Sequence, residues 1–118
     1  MTKVLVVEDN PLNMELVIEI LMARGFNVHE AVDGEEALKK AETEDYDLIL
    51  MDIELPGMDG VEVTRILKNK NRNIPVVALT SYAMKGDRER FISAGFNEYL
   101  SKPLDISDFL KRLEKYKK

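Results

Sequence analysis

The chain has 118 residues, enough for one hydrophobic core, and we expect a single domain over residues 1–118. Hydrophobic residues make up 45% and charged residues 33%, which is typical of a folded globular domain. There is no cysteine, so disulfides, thiolate catalysis and cysteine-ligated zinc are excluded. The formal net charge of -5 argues against a nucleic-acid partner, because binding to phosphates relies on Lys and Arg.

The start of the chain lacks the charged region, apolar core and cleavage site that make up a secretory leader. No apolar run approaches the roughly 18 residues that a membrane-spanning helix needs. We therefore expect a cytoplasmic protein that does not bind a membrane and whose partner is another protein.

Short apolar runs alternate with amphipathic stretches five times, which predicts a repeated strand-helix unit. Strands are predicted at about 3–8, 27–31, 47–52, 75–80 and 98–101. Helices are predicted at about 11–24, 34–43, 58–69, 84–94 and 105–117.

The first helix carries Leu12, Leu16, Ile20 and Ala23 at helical spacing, so these residues are predicted to face the sheet. It is expected to end near Gly25, a residue that suits the left-handed turn after a helix. The inward residues predicted for the second, third and fifth helices are Ala37, Leu38, Ala41, Val61, Val63, Ile66, Leu67, Phe109, Leu110 and Leu113.

The five strands differ in how apolar they are. The first, third and fourth are apolar nearly throughout, as strands buried on both faces must be, whereas the runs around Val28 and Tyr99 are mixed. The second and fifth strands are therefore placed at the edges, and right-handed crossovers favour the order 2-1-3-4-5. The predicted fold is α/β, a doubly wound, flavodoxin-like (βα)5 parallel sheet. In such sheets ligands bind where the chain reverses direction, here between strands one and three.

Acidic residues stand at that point. Glu8 and Asp9 follow the first strand, and Asp52 ends the third. Each has a simpler interpretation as a helix cap, because acids suit helix N-termini. Carboxylates from different strands also suit a hard cation such as Mg²⁺, which takes one or two carboxylates plus waters and phosphate oxygens. We favour metal binding by Asp9 and Asp52.

Two further polar residues are expected to border the same crevice. Thr80 ends the fourth strand, where its hydroxyl would be able to donate to a group attached to Asp52. Lys102 follows the fifth strand, and its ammonium would neutralise an anion that the carboxylates alone repel. The simpler interpretations are a β-branched strand residue and a solvated surface lysine.

Four short motifs occur in a fixed order along the chain. They are Val-Glu-Asp-Asn at 7–10, Leu-Met-Asp-Ile-Glu-Leu-Pro-Gly-Met-Asp-Gly at 50–60, Ala-Leu-Thr-Ser at 78–81 and Ser-Lys-Pro-Leu at 101–104. Together they resemble the receiver domain of two-component response regulators, over the whole chain. The segments Glu-Asp-Asn-Pro-Leu-Asn-Met-Glu at 8–15 and Ala-Met-Lys-Gly-Asp at 83–87 are most similar to stand-alone receivers of the cell-cycle relay type.

The resemblance implies that Asp52 accepts a phosphoryl group from the phosphohistidine of a histidine kinase or histidine phosphotransfer protein. It also implies that Asp9, Asp52 and the backbone carbonyl of Glu54 bind Mg²⁺. Glu8 stands where the family often has Asp, so its contribution to the metal shell is expected to run mainly through water. Glu54 and Tyr82 are expected to tune hydrolysis of the acyl phosphate.

The resemblance further implies that Lys102 pairs with the phosphoryl oxygens and that its bond to Pro103 is cis, an isomer open mainly to X-Pro bonds. Thr80 and Tyr99 would form a switch that changes the face built from the fourth helix, fifth strand and fifth helix. A downstream protein target would recognise that change.

A docking patch for a phosphotransfer domain is expected beside Asp52, formed by Leu12, Met14 and Leu16 with the segment 103–104. The same three side chains are at least as well explained as core residues, because periodicity places Leu12 and Leu16 inward.

Two other functions fit parts of the sequence. The run from Asp52 to Glu54 loosely resembles the nucleophile motif of haloacid-dehalogenase-type phosphatases, but it follows the third strand and its second acid is Glu. A flavin site would need a phosphate-cradling loop after the first strand, where residues 8–11 are acidic and lack glycine. No cofactor other than Mg²⁺ is expected. A phosphoryl-accepting switch, which catalyses only its own phosphorylation and dephosphorylation, fits more of the sequence.

Overall fold

The computed structural model describes residues 1–70, 73–81 and 87–118, and these residues form five strands and five α-helices in alternation. The strands are β1 (Lys3–Val7), β2 (Asn27–Ala31), β3 (Leu48–Asp52), β4 (Val76–Thr80) and β5 (Glu98–Ser101). The helices are α1 (Pro11–Met22), α2 (Gly34–Thr43), α3 (Gly60–Lys70), α4 (Asp87–Ala94) and α5 (Ile106–Leu113), the last followed by a 3-10 turn at Glu114–Tyr116.

All four strand pairings are parallel, and the strands lie in the order β2-β1-β3-β4-β5. The predicted doubly wound order is therefore confirmed. The central strands β3 and β4 are buried at every position, whereas β2 and β5 mix buried and accessible residues. The mixed sequences stand at the edges because an edge strand has fewer neighbours to cover its side chains.

Alternate side chains of each strand enter two separate cores, one on each face of the sheet. Leu5, Ile49 and Ala78 pack on the face covered by α2, α3 and α4. Val4 and Leu50 pack on the opposite face, which is covered by α1 and α5. This two-sided burial holds the strands in register and so fixes where their C-terminal ends lie.

The predicted inward face of α1 is wrong except at Ile20, which is half-buried and packs against the core. Leu12 and Leu16 are 77% and 44% exposed, and the residues that α1 buries are Met14, Val17 and Leu21. The helix is apolar on nearly all sides, so more than one set of residues has helical spacing and periodicity cannot choose between them. The sheet contacts the set formed by Met14, Val17 and Leu21.

The remaining helices bury the predicted residues fully or in part. Phe109 and Leu113 of α5 are buried and Leu110 packs against them. The predicted first residues of the fourth helix, 84–86, lie outside the described residues, as does Tyr82. Gly25 follows α1 with φ of +84°, as the sequence indicated. In the described part of the chain, no helix combines the length and apolar character needed to cross a bilayer.

Candidate functional site

Three carboxylates converge where β1 and β3 end side by side. Val7 pairs with Met51, so the loop after β1 and the last residue of β3 meet at one edge of the sheet. Glu8, Asp9 and Asp52 each offer a carboxylate oxygen, and these atoms all lie within 4.8 Å of one another. Glu8 and Asp52 are 1% and 2% exposed, whereas Asp9 is exposed. The pocket thus has two buried acids and one acid facing water.

The helix caps near this pocket are made by other residues. The Asn10 side chain accepts hydrogen bonds from the backbone N–H groups of Leu12 and Asn13, at 2.9 and 3.1 Å. Asp59 accepts one from Glu62 at 2.9 Å at the start of α3. Capping therefore does not explain the acids in the pocket, because its positions are filled by their neighbours.

Lys102 reaches the pocket from the loop after β5. Its Nζ lies 2.8 Å from Glu8 Oε1 and 3.3 Å from Asp52 Oδ1. The Lys102–Pro103 peptide bond is cis, as the resemblance implied. The backbone N–H of Lys102 donates to the carbonyl of Thr80 at 2.8 Å. The ammonium is therefore held between the two buried carboxylates.

Glu54 contributes a contact that the sequence did not predict. Its backbone N–H donates to Asp52 Oδ1 at 3.0 Å, and its side-chain Oε1 accepts from the backbone N–H of Ser81 at 2.9 Å. The other carboxylate oxygen, Oε2, is buried and has no hydrogen-bond partner within the described ranges. The side chain thus spans the pocket from the loop after β3 to the end of β4.

Crowded acids shift the protonation of the pocket. Burial, together with the neighbouring carboxylates of Glu8 and Glu54, raises the pKa of Asp52 to about 8, although Lys102 opposes the shift. Burial would also raise the pKa of Glu8, but its hydrogen bonds with Asp52 and Lys102 outweigh burial and lower it. The single ammonium therefore does not compensate Glu8 and Asp52 when both carboxyl groups are ionised.

The donor set suits a divalent cation. Oxygens of Asp9 and Asp52, with Glu8 beside them, supply the hard ligands that Mg²⁺ prefers, and exposed Asp9 leaves one side open to water. Added positive charge here would relieve the repulsion that raises the pKa of Asp52.

The two residues expected to act as a switch lie on neighbouring strands. Thr80 is fully buried and stands one residue beyond Leu79, the partner of Asp52 in the sheet. Tyr99 is half-buried on β5, and its ring lies 5.7 Å from that of Phe91 in α4. The structure thus places Thr80 at the edge of the pocket and Tyr99 against α4.

An apolar hollow opens beside the pocket between α1 and the loop after β5. It has a volume of about 340 Å³, and its apolar walls include Leu16, Pro103 and Leu104. Glu8 and Lys102 also line it, so the hollow adjoins the acidic pocket. Met14 is buried and does not belong to this surface, which corrects the predicted patch.

Comparison with known proteins identifies the family. The response regulator receiver domain profile matches residues 4–114. The chain is similar to the polar-differentiation response regulator DivK of Brucella ovis, at 45% identity over 98% of this chain and 97% of that protein.

Two solved structures are similar throughout. One is the receiver domain of a sensor histidine kinase from Pseudomonas aeruginosa with a magnesium ion in its active-site cleft, at TM-score 0.89 and 38% identity, covering 98% of this chain and 96% of that one. The other is the response regulator TrrA from Thermotoga maritima in complex with Mg²⁺-BeF, at TM-score 0.90 and 34% identity, covering 99% and 100%. The four sequence motifs, the fold and these matches agree, and the chain belongs to the response regulator receiver domain family.

Proposed function

We propose that this receiver, folded as one domain over residues 1–118, accepts a phosphoryl group on Asp52 from a protein phosphohistidine. The observation that carries the proposal is the placement of Asp52 between Lys102, 3.3 Å away, and the carboxylates of Glu8 and Asp9. Among the described carboxylates, only Glu8 and Asp52 lie beside this ammonium within the acidic cluster. Asp52 is the proposed acceptor because it stands in the 50–60 motif, where the receiver family has its phosphorylated aspartate.

The proposed reaction is a displacement at phosphorus. An oxygen of Asp52 forms a bond to phosphorus while the bond between phosphorus and the donor imidazole nitrogen breaks, and the departing imidazole takes up a proton. Phosphoryl transfer needs positioning and charge neutralisation more than covalent assistance. Lys102 supplies a cation at hydrogen-bonding distance from the acceptor, and it would pair with the incoming oxygens.

The metal in this proposal is Mg²⁺, held by Asp9, Asp52 and the backbone carbonyl of Glu54, with Glu8 beside it. When bound, the cation supplies positive charge that offsets the phosphoryl oxygens and the acceptor carboxylate. A similar protein supports this assignment, since the receiver from Pseudomonas aeruginosa has a magnesium ion coordinated in its active-site cleft.

The phosphohistidine donor would dock on the apolar hollow beside the pocket. Leu16 is exposed on α1 and lines the hollow together with Pro103 and Leu104, and Leu12 is exposed on the same helix. Burying such a patch against a helical domain would bring a histidine on that domain towards Asp52. A histidine kinase or histidine phosphotransfer protein is the proposed partner, and a cytoplasmic location is proposed because such donors present phosphohistidine there.

The proposed output is a change in protein binding. In this account the Thr80 hydroxyl donates to the phosphoryl group, and the accompanying movement of β4 and its loop lets Tyr99 leave its place against Phe91. The protein would therefore catalyse only its own phosphorylation and dephosphorylation, and it would signal through the surface of α4, β5 and α5.

The test is incubation with acetyl phosphate and Mg²⁺ followed by intact-mass measurement. Wild type should gain one phosphoryl group, and Asp52→Asn should gain none. Circular dichroism of both proteins checks that the variant folds. Equal gain by the two proteins, or no gain by a folded wild type that binds Mg²⁺, would show that the proposal is wrong.

A further inference from the structure

The helix α1 carries more apolar surface than the sheet covers, and part of it faces β2 rather than the phosphodonor hollow. A groove of about 310 Å³ lies on this side of the helix. Pro11, Met14 and Ile18 form the helix wall, and Val32, which follows β2 and is 51% exposed, forms the opposite wall. We call this the α1–β2 groove.

Carboxylates surround the α1–β2 groove. Glu15 and Glu19 line it from α1, and Glu30 lines it from the edge strand β2. All three are exposed. Glu8 and Asp9 line its far end, where the groove meets the acidic pocket. Among the residues that the structure describes, no lysine or arginine lines it.

The rim charges lack internal partners. Elsewhere the exposed acids are often paired, as Glu42 is with Lys70 at 2.9 Å and Glu44 is with Lys3 at 2.6 Å. Within the described residues, the side chains of Glu15, Glu19 and Glu30 form no ion pair, and α1 itself contains no basic residue.

Lys40, a basic group that contacts β2, does not pair with the rim carboxylates. The ammonium of Lys40 donates to the backbone carbonyl of Glu30 and lies 3.9 Å from Glu36, so it faces α2. Three exposed carboxylates around an apolar floor therefore remain without compensating charge. Their mutual repulsion falls when a cationic partner binds, and an apolar side chain covers the floor at the same time.

We propose that the α1–β2 groove binds a basic amphipathic segment of a protein partner. Apolar side chains of that segment enter between Ile18 and Val32, and its Lys or Arg side chains pair with Glu15, Glu19 and Glu30. The same charges repel nucleic acids and anionic lipid surfaces. The groove lies on the opposite flank of α1 from the phosphodonor hollow, and only its far end, at Glu8 and Asp9, adjoins the acidic pocket.

The probe is a labelled helical peptide of Leu and Lys, with Leu on one face and Lys on the other, followed by fluorescence anisotropy. Wild type should bind it saturably, and Glu15→Lys/Glu19→Lys should weaken the affinity by at least roughly tenfold. The matched control is Glu62→Lys/Glu89→Lys, which makes the same change in net charge on exposed residues of α3 and α4. It should weaken the affinity less than about threefold, since long-range attraction is screened by salt.

A further variant tests the apolar part. Val32→Asp changes an exposed side chain and should also weaken binding, although it leaves Glu15 and Glu19 in place. Equal losses in the groove and control variants, or no saturable binding to wild type, would overturn the proposal. Peptide-independent self-association, measured by analytical ultracentrifugation and lost in the Glu15→Lys/Glu19→Lys variant, would assign the groove to a second copy and would also overturn it.

Discussion

The carboxylate of Glu54 accepts a hydrogen bond from the backbone N–H of Ser81 at 2.9 Å. This contact joins the loop after β3 to the end of β4, beside the acceptor Asp52. It also places a negative charge where a phosphoryl group on Asp52 would need room and positive surroundings. The backbone N–H of Ser81 is a donor that such a group would otherwise be able to use.

The first prediction concerns this charge. Glu54→Gln keeps an acceptor for Ser81 but removes the carboxylate, so phosphorylation of Asp52 by acetyl phosphate should be faster by roughly three- to tenfold, as repulsion is relieved. Stopped-flow or quenched time courses at saturating Mg²⁺ would measure the rate. Glu62→Gln, on an exposed part of α3, is the control. A slower reaction in Glu54→Gln would contradict the electrostatic explanation.

Lys102 should matter for stability as well as for transfer. Glu8 is almost fully buried and its partner is this ammonium, so Lys102→Met should lower the free energy of unfolding by about 2–4 kcal/mol. Urea denaturation without divalent cations would measure the change.

The double variant Lys102→Met/Glu8→Gln separates pairing from packing. It removes the uncompensated charge along with the lysine, so it should recover at least half of the lost stability. A double variant as unstable as Lys102→Met alone would mean that the lysine stabilises the fold through packing rather than through Glu8.

The switch is tested through Tyr99, whose ring lies against Phe91. With Mg²⁺ and a stable phosphoryl analogue such as beryllofluoride, the NMR resonances of the Tyr99 ring should shift in wild type and in Thr80→Ser. They should shift much less in Thr80→Ala, which lacks the hydroxyl. Identical shifts in the alanine and serine variants would remove the Thr80 hydroxyl from the pathway to Tyr99.

The first residue of α3, Gly60, packs closely against the end of β3, so even a small side chain at this position should destabilise the fold. A Cβ added at Gly60 would clash with the carbonyl oxygen of Asp52, a backbone atom that cannot yield easily. Gly60→Ala should therefore lower the free energy of unfolding by more than about 2 kcal/mol.

The matched control is Gly57→Ala, three residues earlier, in the loop that precedes α3. Gly57 has φ of +74° but nothing within 4 Å of an added Cβ, so the change should cost only about 1 kcal/mol of conformational strain. Thermal or urea unfolding of both proteins would measure the contrast. Similar losses would mean that the Gly60 clash is relieved by backbone movement.

A pH-dependent prediction comes from Glu98 on β5. Burial would raise its pKa, but the Lys115 ammonium, 2.7 Å away, and the Tyr116 hydroxyl, 2.6 Å away, lower it below the ordinary 4.5. A lowered folded-state pKa means that the stabilisation is present above the unfolded-state value and is lost as the pH falls through the folded-state value.

Glu98→Gln should therefore destabilise the protein by about 1 kcal/mol at pH 7 and by much less at pH 3. Urea unfolding at the two pH values would measure both differences. Glu114→Gln, which changes an exposed side chain of the 3-10 turn, should show little effect at either pH. If Glu98→Gln destabilises the protein equally at both pH values, the negative charge of Glu98 does not contribute to its contacts with Lys115 and Tyr116.

The sequence predicted the fold because burial on one or two faces leaves a clear pattern in strands. Runs such as residues 48–51 are uniformly apolar only where a sheet is covered on both sides, and this places β3 in the centre. Strand order then determined that Asp9, Asp52 and Lys102 would meet, since parallel strands end at one edge. This part of the site could therefore be predicted from the strand order alone, without knowledge of any side-chain contact.

Two features could not be read from the sequence. The orientation of α1 was mispredicted because apolar residues occupy most of its surface, so that the set of Met14, Val17 and Leu21 had no clear advantage over the set beginning with Leu12. The Glu54–Ser81 contact depends on the shapes of two loops and on one rotamer, and a carboxylate in a loop gives no sequence signal for its partner.

The central claim is that Asp52 itself receives the phosphoryl group. The most direct measurement is to phosphorylate the protein with acetyl phosphate and Mg²⁺, reduce the acyl phosphate with borohydride, and locate the resulting homoserine by peptide mass spectrometry. We predict homoserine at position 52 in wild type and at no position in Asp52→Asn. Homoserine at Asp9 or another aspartate, or 5-hydroxynorvaline at Glu8 or another glutamate, with position 52 unchanged in wild type, would contradict the account.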